Sequence, residues 1–259
     1  MRVFIVGAKG QLGHALQEIL GHHEIIAYDF EELDITQLEA TGKVLAHVRP
    51  QVVLNAAAYT KVDQAEIEPE MAYRVNALGA RNLALKTASQ KIPLLQISTD
   101  YVFDGKASRP YHEFDRPHPL SVYGMSKLAG EETVRALNPR HYIVRTAWLY
   151  HTVGNNFPKT MCALADQPEV RVVNDQYGSP TYAPHLAQAL SHLMETDAFG
   201  TYHIAGSGGT SWFEFTRMLF ILCGFTTKIT PVSTAEFPRP APRPAQAVLT
   251  TLQDPPMVL

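Results

Sequence analysis

The sequence predicts an α/β fold: a doubly wound parallel sheet joined to a smaller, irregular α/β lobe. Over the first 150 residues, short β-rich apolar runs alternate with helix-length amphipathic stretches, an order that right-handed crossovers turn into a parallel sheet. The apolar runs lack polar alternation, so they read as strands buried on both faces. Proline is absent before Pro50, whereas seven of the 18 prolines lie from Pro231 onward, so the regular pattern breaks down late in the chain.

In order, the predicted strands are Val3 to Val6, Glu24 to Tyr28, Val52 to Leu54, Leu94 to Ser98 and Tyr142 to Thr146. Helices are predicted at Gln11 to Leu20, at Thr36 to Val48 before Pro50, at Pro69 to Gln90, and at Ser121 to Leu137 before Asn138-Pro139. Pro69 suits a first helical turn, and Met71, Val75, Leu78, Leu83 and Leu85 are expected on the inner side of its helix. After residue 150 come a helix near Asn155 to Ala165, a strand at Val170 to Val173, a helix at Pro184 to Met194, a strand at Tyr202 to Ile204, a glycine-rich turn at 206–209 and a helix at Ser211 to Leu222. The alternating prolines of Pro238 to Pro244 fix φ and remove donors, which predicts an extended surface segment.

With 259 residues, the chain is one large domain or one and a half at roughly 150 residues per domain. A hydrophobic fraction of 46% excludes general disorder. Its 22 basic and 25 acidic residues give no broad basic footprint, which argues against a nucleic acid or an anionic membrane as principal partner. Met218 to Phe225, the best apolar run, is far short of the roughly 20 residues needed to cross a bilayer, and Val3 to Val6 is too short for a secretion signal. A cytoplasmic protein is expected. Cys162 and Cys223 form no ligand pattern and are read as buried free thiols. The 11 histidines include no HExxH or HxxxH pair, and His22-His23 falls in a helix-to-strand loop, so no metal site is expected.

Gly7-Ala8-Lys9-Gly10-Gln11-Leu12-Gly13 follows the first strand and opens the first helix. Gly7 permits the tight turn, Gly10 lets a pyrophosphate approach the backbone, and Gly13 lets the helix pack closely. The second strand ends at Asp29, where a carboxylate can bond the adenosine ribose. This is a Rossmann-type dinucleotide site. Asp29 favours a free 2′-hydroxyl and Lys9 favours a phosphate, so these residues leave NAD or NADP open.

Chemistry is expected at the same sheet edge. Ser98-Thr99-Asp100-Tyr101-Val102-Phe103-Asp104-Gly105 follows the fourth strand, and Tyr123-Gly124-Met125-Ser126-Lys127 puts a phenol and an ammonium four apart on one helical face. Thr146-Ala147-Trp148 adds an aromatic wall. A phenol with a pKa near 10 exchanges protons poorly at neutral pH. A neighbouring lysine stabilises its phenolate, and Thr99 can hydrogen-bond an oxygen that gains charge as hydride arrives.

These motifs, with Asn55-Ala56-Ala57-Ala58 and Asn174-Asp175-Gln176-Tyr177-Gly178-Ser179-Pro180-Thr181, resemble the extended short-chain dehydrogenase/reductases, and within them the dTDP-4-dehydrorhamnose reductases. The likeness runs from residue 1 to about 250. It implies reduction of a nucleotide-sugar C4 ketone by NADPH, with NADH as the alternative donor, in a monomer or homodimer. Residues 1–150 would bind the dinucleotide. Residues 151–259 would mainly form the substrate lobe, with some segments returning to the first domain. By resemblance Gly10, Gln11 and Leu12 meet the pyrophosphate, Asp29 the ribose, and Asp34 and Ile35 the adenine. Ala56, Ala57, Ala58, Tyr59, Thr60 and Ile97 touch the cofactor further along. Tyr123 would donate the proton, and Lys127 would hold the nicotinamide ribose. Thr99, Asp100 and Trp148 would meet the sugar, with Asn156, Lys159 and Arg243 contacting sugar or diphosphate.

The sequence departs from the family pattern in three places. Ala15 and Pro184-His185 stand where some members carry glutamates for a metal-bridged dimer. Arg243-Pro244-Ala245-Gln246-Ala247 lacks an Asn-Ser pair. The sequence stops at Leu259, ahead of the family's last short helix, which suggests a short or truncated chain. The rival readings are a dehydratase or epimerase of the same fold and a non-catalytic reductase-like subunit. Tyr101 stands where related dehydratases carry glutamate, and the retained Tyr123 and Lys127 argue against the subunit.

Overall fold

A computed structural model describes residues 1–253. In chain order the first part comprises β1 (Arg2–Val6), α1 (Gln11–Ile19), β2 (Glu24–Tyr28), α2 (Leu38–Val48), β3 (Val52–Asn55), α3 (Val62–Ala65), α4 (Pro69–Tyr73), a π-helical segment (Arg74–Gly79), α5 (Ala80–Ser89), β4 (Leu94–Thr99), α6 (Val122–Leu137) and β5 (His141–Thr146). Then follow β6 (Leu149–Tyr150), α7 (Phe157–Ala163), β7 (Glu169–Val173), β8 (Tyr177–Gly178), β9 (Thr181–Tyr182), α8 (Ala183–Leu193), β10 (Gly200–His203), β11 (Thr210–Ser211), α9 (Trp212–Cys223) and β12 (Lys228–Val232).

The main sheet has the order β10-β5-β4-β3-β1-β2, and its pairings are parallel. Alternate residues of each buried strand face opposite layers. Val3 and Ile5 pack with Leu12 and Leu16 of α1 and Leu186 and Leu190 of α8. Phe4 and Val6 pack with Leu45 of α2, Leu83 of α5 and Val134 of α6. The chain leaves β1 for β2 at one edge and returns to β3 on the other side of β1. That reversal opens a crevice at the carboxyl ends of β1 and β3, where open α/β sheets take ligands.

The structure corrects the sequence reading in three places and identifies which later segments join the main sheet. The stretch from Pro69 to Gln90 is not one uniform α-helix, because the π turn at 74–79 shifts the inward face partway along it. Met71 and Leu78, expected inside, are therefore exposed, Leu83 is buried as expected, and Ala72, Asn76 and Asn82 are buried as well. Residues 183–203 return to the main unit, α8 packing on α1 and β10 extending the sheet beside β5. The proline-rich segment is not wholly superficial: Ala241 and Ala247 to Leu249 are buried, and Tyr111 bridges Leu249. Cys162 is half-buried and Cys223 exposed.

The remaining lobe has a small core of its own. Met161, Val170, Val172 and Phe220 pack together beneath the parallel β7-β12 pair. Pro231 sits within β12, a two-stranded ribbon where a missing donor is tolerated. The predicted stop ahead of a last helix concerns residues 254–259, which lie outside the described part.

Candidate active site

A cleft of about 840 Å³ lies along the carboxyl edge of the sheet. The glycine loop forms one wall. Gly7 has φ +86°, and a Cβ there would lie 2.6 Å from the Ala57 nitrogen, so the loops after β1 and β3 meet closely. A Cβ on Gly13 would fall 2.2 Å from the Gly7 carbonyl oxygen. Gly10 lines the cleft, and only the Gly7 oxygen, 3.3 Å away, approaches the position of its missing Cβ. No side chain caps α1, so the partial positive charge of its N-terminus faces the cleft uncompensated.

Asp29 accepts hydrogen bonds from the backbone amides of Lys9 (2.7 Å) and Phe30 (2.8 Å). These bonds fix the carboxylate at the cleft wall. The Lys9 ammonium pairs with Glu31 at 2.8 Å in solvent. Asp34, Ile35, Ala56, Ala57, Ala58, Tyr59, Thr60 and Ile97 complete the cofactor-side residues expected from the sequence, and all of them line the cleft. Gly13 does not line it; its role is packing.

The loop after β3 is held by a residue the sequence reading missed. Asn76, in the π turn, accepts from the Tyr59 amide at 2.8 Å and donates to the Tyr59 carbonyl at 3.1 Å and to Ser126 Oγ at 2.9 Å. It thereby ties that loop to α6. The one legible signal was a polar residue amid a helical run.

Tyr123, Lys127, Thr99 and Asp100 meet on the cleft floor. Ser121 caps α6 through the Gly124 amide, which starts the helix where Tyr123 reaches β4. Burial pushes the Tyr123 phenol up to about 12; a hydrogen bond with Thr99 offsets part of this, and Asp100 adds to it. The sequence reading expected Lys127 to lower that phenol. Instead the Lys127 ammonium donates to the Ile97 carbonyl at 2.6 Å, and burial brings Lys127 itself down to about 8 while Glu131 holds it up. The free site thus keeps a firmly protonated phenol. Thr99 donates to Asp100 Oδ1 at 2.9 Å, whereas Asp100 Oδ2 and Thr146 Oγ1 are buried without partners. Burial raises the Asp100 carboxyl to about 7. Two orphaned polar atoms in one cleft signal a ligand that supplies the missing bonds.

Trp148, between β5 and β6, has φ +46°, a left-handed conformation uncommon for a bulky residue. Its ring stacks on Trp212, with centroids 3.3 Å apart and an interplanar angle of 6°. Trp212, also missed from the sequence, lines the cleft. A Cβ on Gly178 would fall 2.3 Å from Trp148 Cε2, so the motif around Gly178 seats the indole rather than touching a ligand. Three expected substrate residues do not line the cleft. Asn156 caps α7 and donates to His151 O (2.6 Å) and Gln11 Oε1 (2.9 Å). Lys159 points to solvent. Arg243 donates to Asp63 at 2.6 Å and stands near Tyr101.

A Rossmann-type sheet, a glycine loop at its switch point and a buried Tyr-x-x-x-Lys pair beside Thr99 define a short-chain dehydrogenase/reductase. The family model described as the RmlD substrate binding domain matches residues 1–254. A dTDP-4-dehydrorhamnose reductase of Aggregatibacter actinomycetemcomitans is 40% identical, covering 96% of this chain and 90% of the relative. The crystal structure of the Bacillus anthracis dTDP-4-dehydrorhamnose reductase in complex with NADP superposes with a TM-score of 0.94 at 45% identity, covering 96% of this chain and 89% of that one. A Clostridium acetobutylicum structure of the same name gives 0.94 at 46%, covering 96% and 90%. The chain belongs to the dTDP-4-dehydrorhamnose reductase family.

Proposed function

We propose that the chain reduces the C4 ketone of dTDP-4-dehydro-β-L-rhamnose to give dTDP-β-L-rhamnose, with NADPH as hydride donor. The observation that carries this reading is the protonated, buried Tyr123 beside Thr99, in the same cleft as the glycine loop. Bound NADPH supplies the hydride. Gln11 and Leu12 fit a pyrophosphate through the backbone amides at the start of α1, with Gly10 leaving room for its approach, Asp29 fits the adenosine ribose, and Lys127 fits the nicotinamide ribose. The complex of the Bacillus anthracis relative with NADP favours NADPH over NADH.

As negative charge builds on the C4 oxygen, the Thr99 hydroxyl turns from Asp100 to donate to it and Tyr123 delivers its proton. Asp100 Oδ2 and Thr146 Oγ1 then find partners on the sugar, with the Trp148–Trp212 stack as an apolar wall. Asn156, Lys159 and Arg243 would reach substrate only through movement of the lobe. In this reading the main unit, including residues 183–203, holds the dinucleotide and the rest of 151–259 covers the nucleotide sugar. Among the described residues no helix is long and apolar enough to cross a membrane. The reaction is assigned to the cytoplasm, on a monomer or homodimer with no nucleic-acid partner. Absorbance assays with dTDP-4-dehydrorhamnose and each cofactor test the proposal: consumption of NADPH supports it, and absence of oxidation with both cofactors rejects it.

A further inference from the structure

The histidine pair set aside in the sequence acquires a third partner in the fold. α1 and α8 lie side by side on one face of the sheet and run antiparallel to the strands, so their C-terminal ends meet at the edge opposite the catalytic cleft. His22 and His23 follow α1, and Glu195 follows α8. One ligand atom from each of the three lies within 4.8 Å of the others.

His23 is the fixed member. Its side chain is 8% exposed, and its Nε2 is buried without a hydrogen-bond partner. Glu195 Oε1 stands 3.4 Å from that nitrogen but outside hydrogen-bond geometry. The other ring nitrogen, Nδ1, lies 3.2 Å from the Met1 amino group, which leaves Nε2 as the free donor atom. The His22 ring sits 4.0 Å from the His23 ring, and His22 and Glu195 are exposed enough to rotate. Two imidazoles and a carboxylate with an open fourth position suit a borderline-soft divalent ion such as zinc, whose bonds to nitrogen and oxygen are about 2.0–2.2 Å. Closing the three atoms from 4.8 Å to the roughly 4.2 Å or less of a shared ion needs only side-chain movement.

We propose that His22, His23 and Glu195 form a zinc site that clamps the ends of α1 and α8. The site uses neither Ala15 nor Pro184, and it stands apart from the reaction.

The test is calorimetric titration of the untagged, chelator-stripped chain with zinc chloride. One saturable site per chain is expected. His22→Ala and Glu195→Gln should each weaken binding at least tenfold, the lower end for losing a metal-organising group. His47→Ala, an exposed histidine elsewhere, should leave it unchanged. Because His22 is exposed, its variant keeps the fold, and zinc should raise the melting temperature of the parent chain but not of this variant. Absence of saturable binding, or equal affinity in the parent, His22→Ala and Glu195→Gln, overturns the proposal.

Discussion

Beneath the catalytic floor, Glu131 and Arg145 form an ion pair whose side chains are 0% and 2% exposed. The guanidinium donates to both carboxylate oxygens, at 2.9 and 2.7 Å, and Ser98 donates to Oε1 at 2.5 Å. This knot joins α6, β5 and β4, the three elements that carry Lys127, Thr146 and Thr99. Replacing Glu131 by Met leaves the Arg145 charge buried, with His203 as its neighbour at 3.4 Å. Breaking a buried pair in this way costs about 3–5 kcal/mol. At about 2–4 °C per kcal/mol for a chain of this size, the melting temperature should fall by roughly 6–20 °C. Replacing both residues by Met removes the stranded charge, so the double variant should recover at least half of that loss. Thermal unfolding followed by circular dichroism reads all three proteins. A loss below about 1 kcal/mol for Glu131→Met, or a double variant no more stable than the single one, would refute the reasoning.

Other outcomes follow from the same geometry. Tyr123→Phe should lower kcat at least about a hundredfold while the Kd for NADPH changes little; near-parental turnover would remove Tyr123 from proton transfer. Lys127, brought down to about 8 by burial, should lose its charge as pH rises through that value, so turnover should decline above about pH 8. A flat profile to pH 9.5 would show that the ammonium is not needed. Gly13→Ala places a methyl against the Gly7 carbonyl oxygen, which should cost about 1–3 kcal/mol through overpacking and weaken NADPH binding, measured by fluorescence titration. Glu131 is held below the usual carboxylate range, its burial outweighed by Arg145 and Ser98. A depressed folded pKa means that its contribution is full above about pH 4.3, the unfolded value, and is lost as pH falls. Acid titration of Glu131→Met should therefore show a shallower loss of stability than the parent chain.

The parallel sheet was legible because the strands are short, mainly apolar, β-rich runs and each crossover helix carries its own period. The glycine loop was legible for a related reason: the left-handed φ of Gly7 and the close backbone approach at Gly13 leave no room for a side chain. What escaped were features created by packing between distant segments. Asn76 acquires its role only when the π turn rotates it toward Tyr59 and Ser126, and a uniform 3.6-residue period misplaces Met71 and Leu78 for the same reason. Trp212 is sixty-four positions beyond Trp148, and only the lobe's fold stacks them. Arg243 was expected to contact sugar or diphosphate, yet Asp63 lies across the chain to pair with it. The Tyr123–Lys127 spacing put both groups on one helical face, but spacing says nothing of desolvation, which dominates both groups.

The central claim is hydride transfer to C4 with Tyr123 completing the protonation, and isotope transfer tests it most directly. NADPH deuterated at the transferring position of the nicotinamide is incubated with the chain and dTDP-4-dehydrorhamnose, and the product is examined by mass spectrometry and NMR. The account predicts one NADPH oxidised per dTDP-rhamnose formed, with deuterium at C4 and no product from Tyr123→Phe on the same timescale. NADPH that binds but stays unoxidised, or deuterium appearing at another carbon, would contradict it.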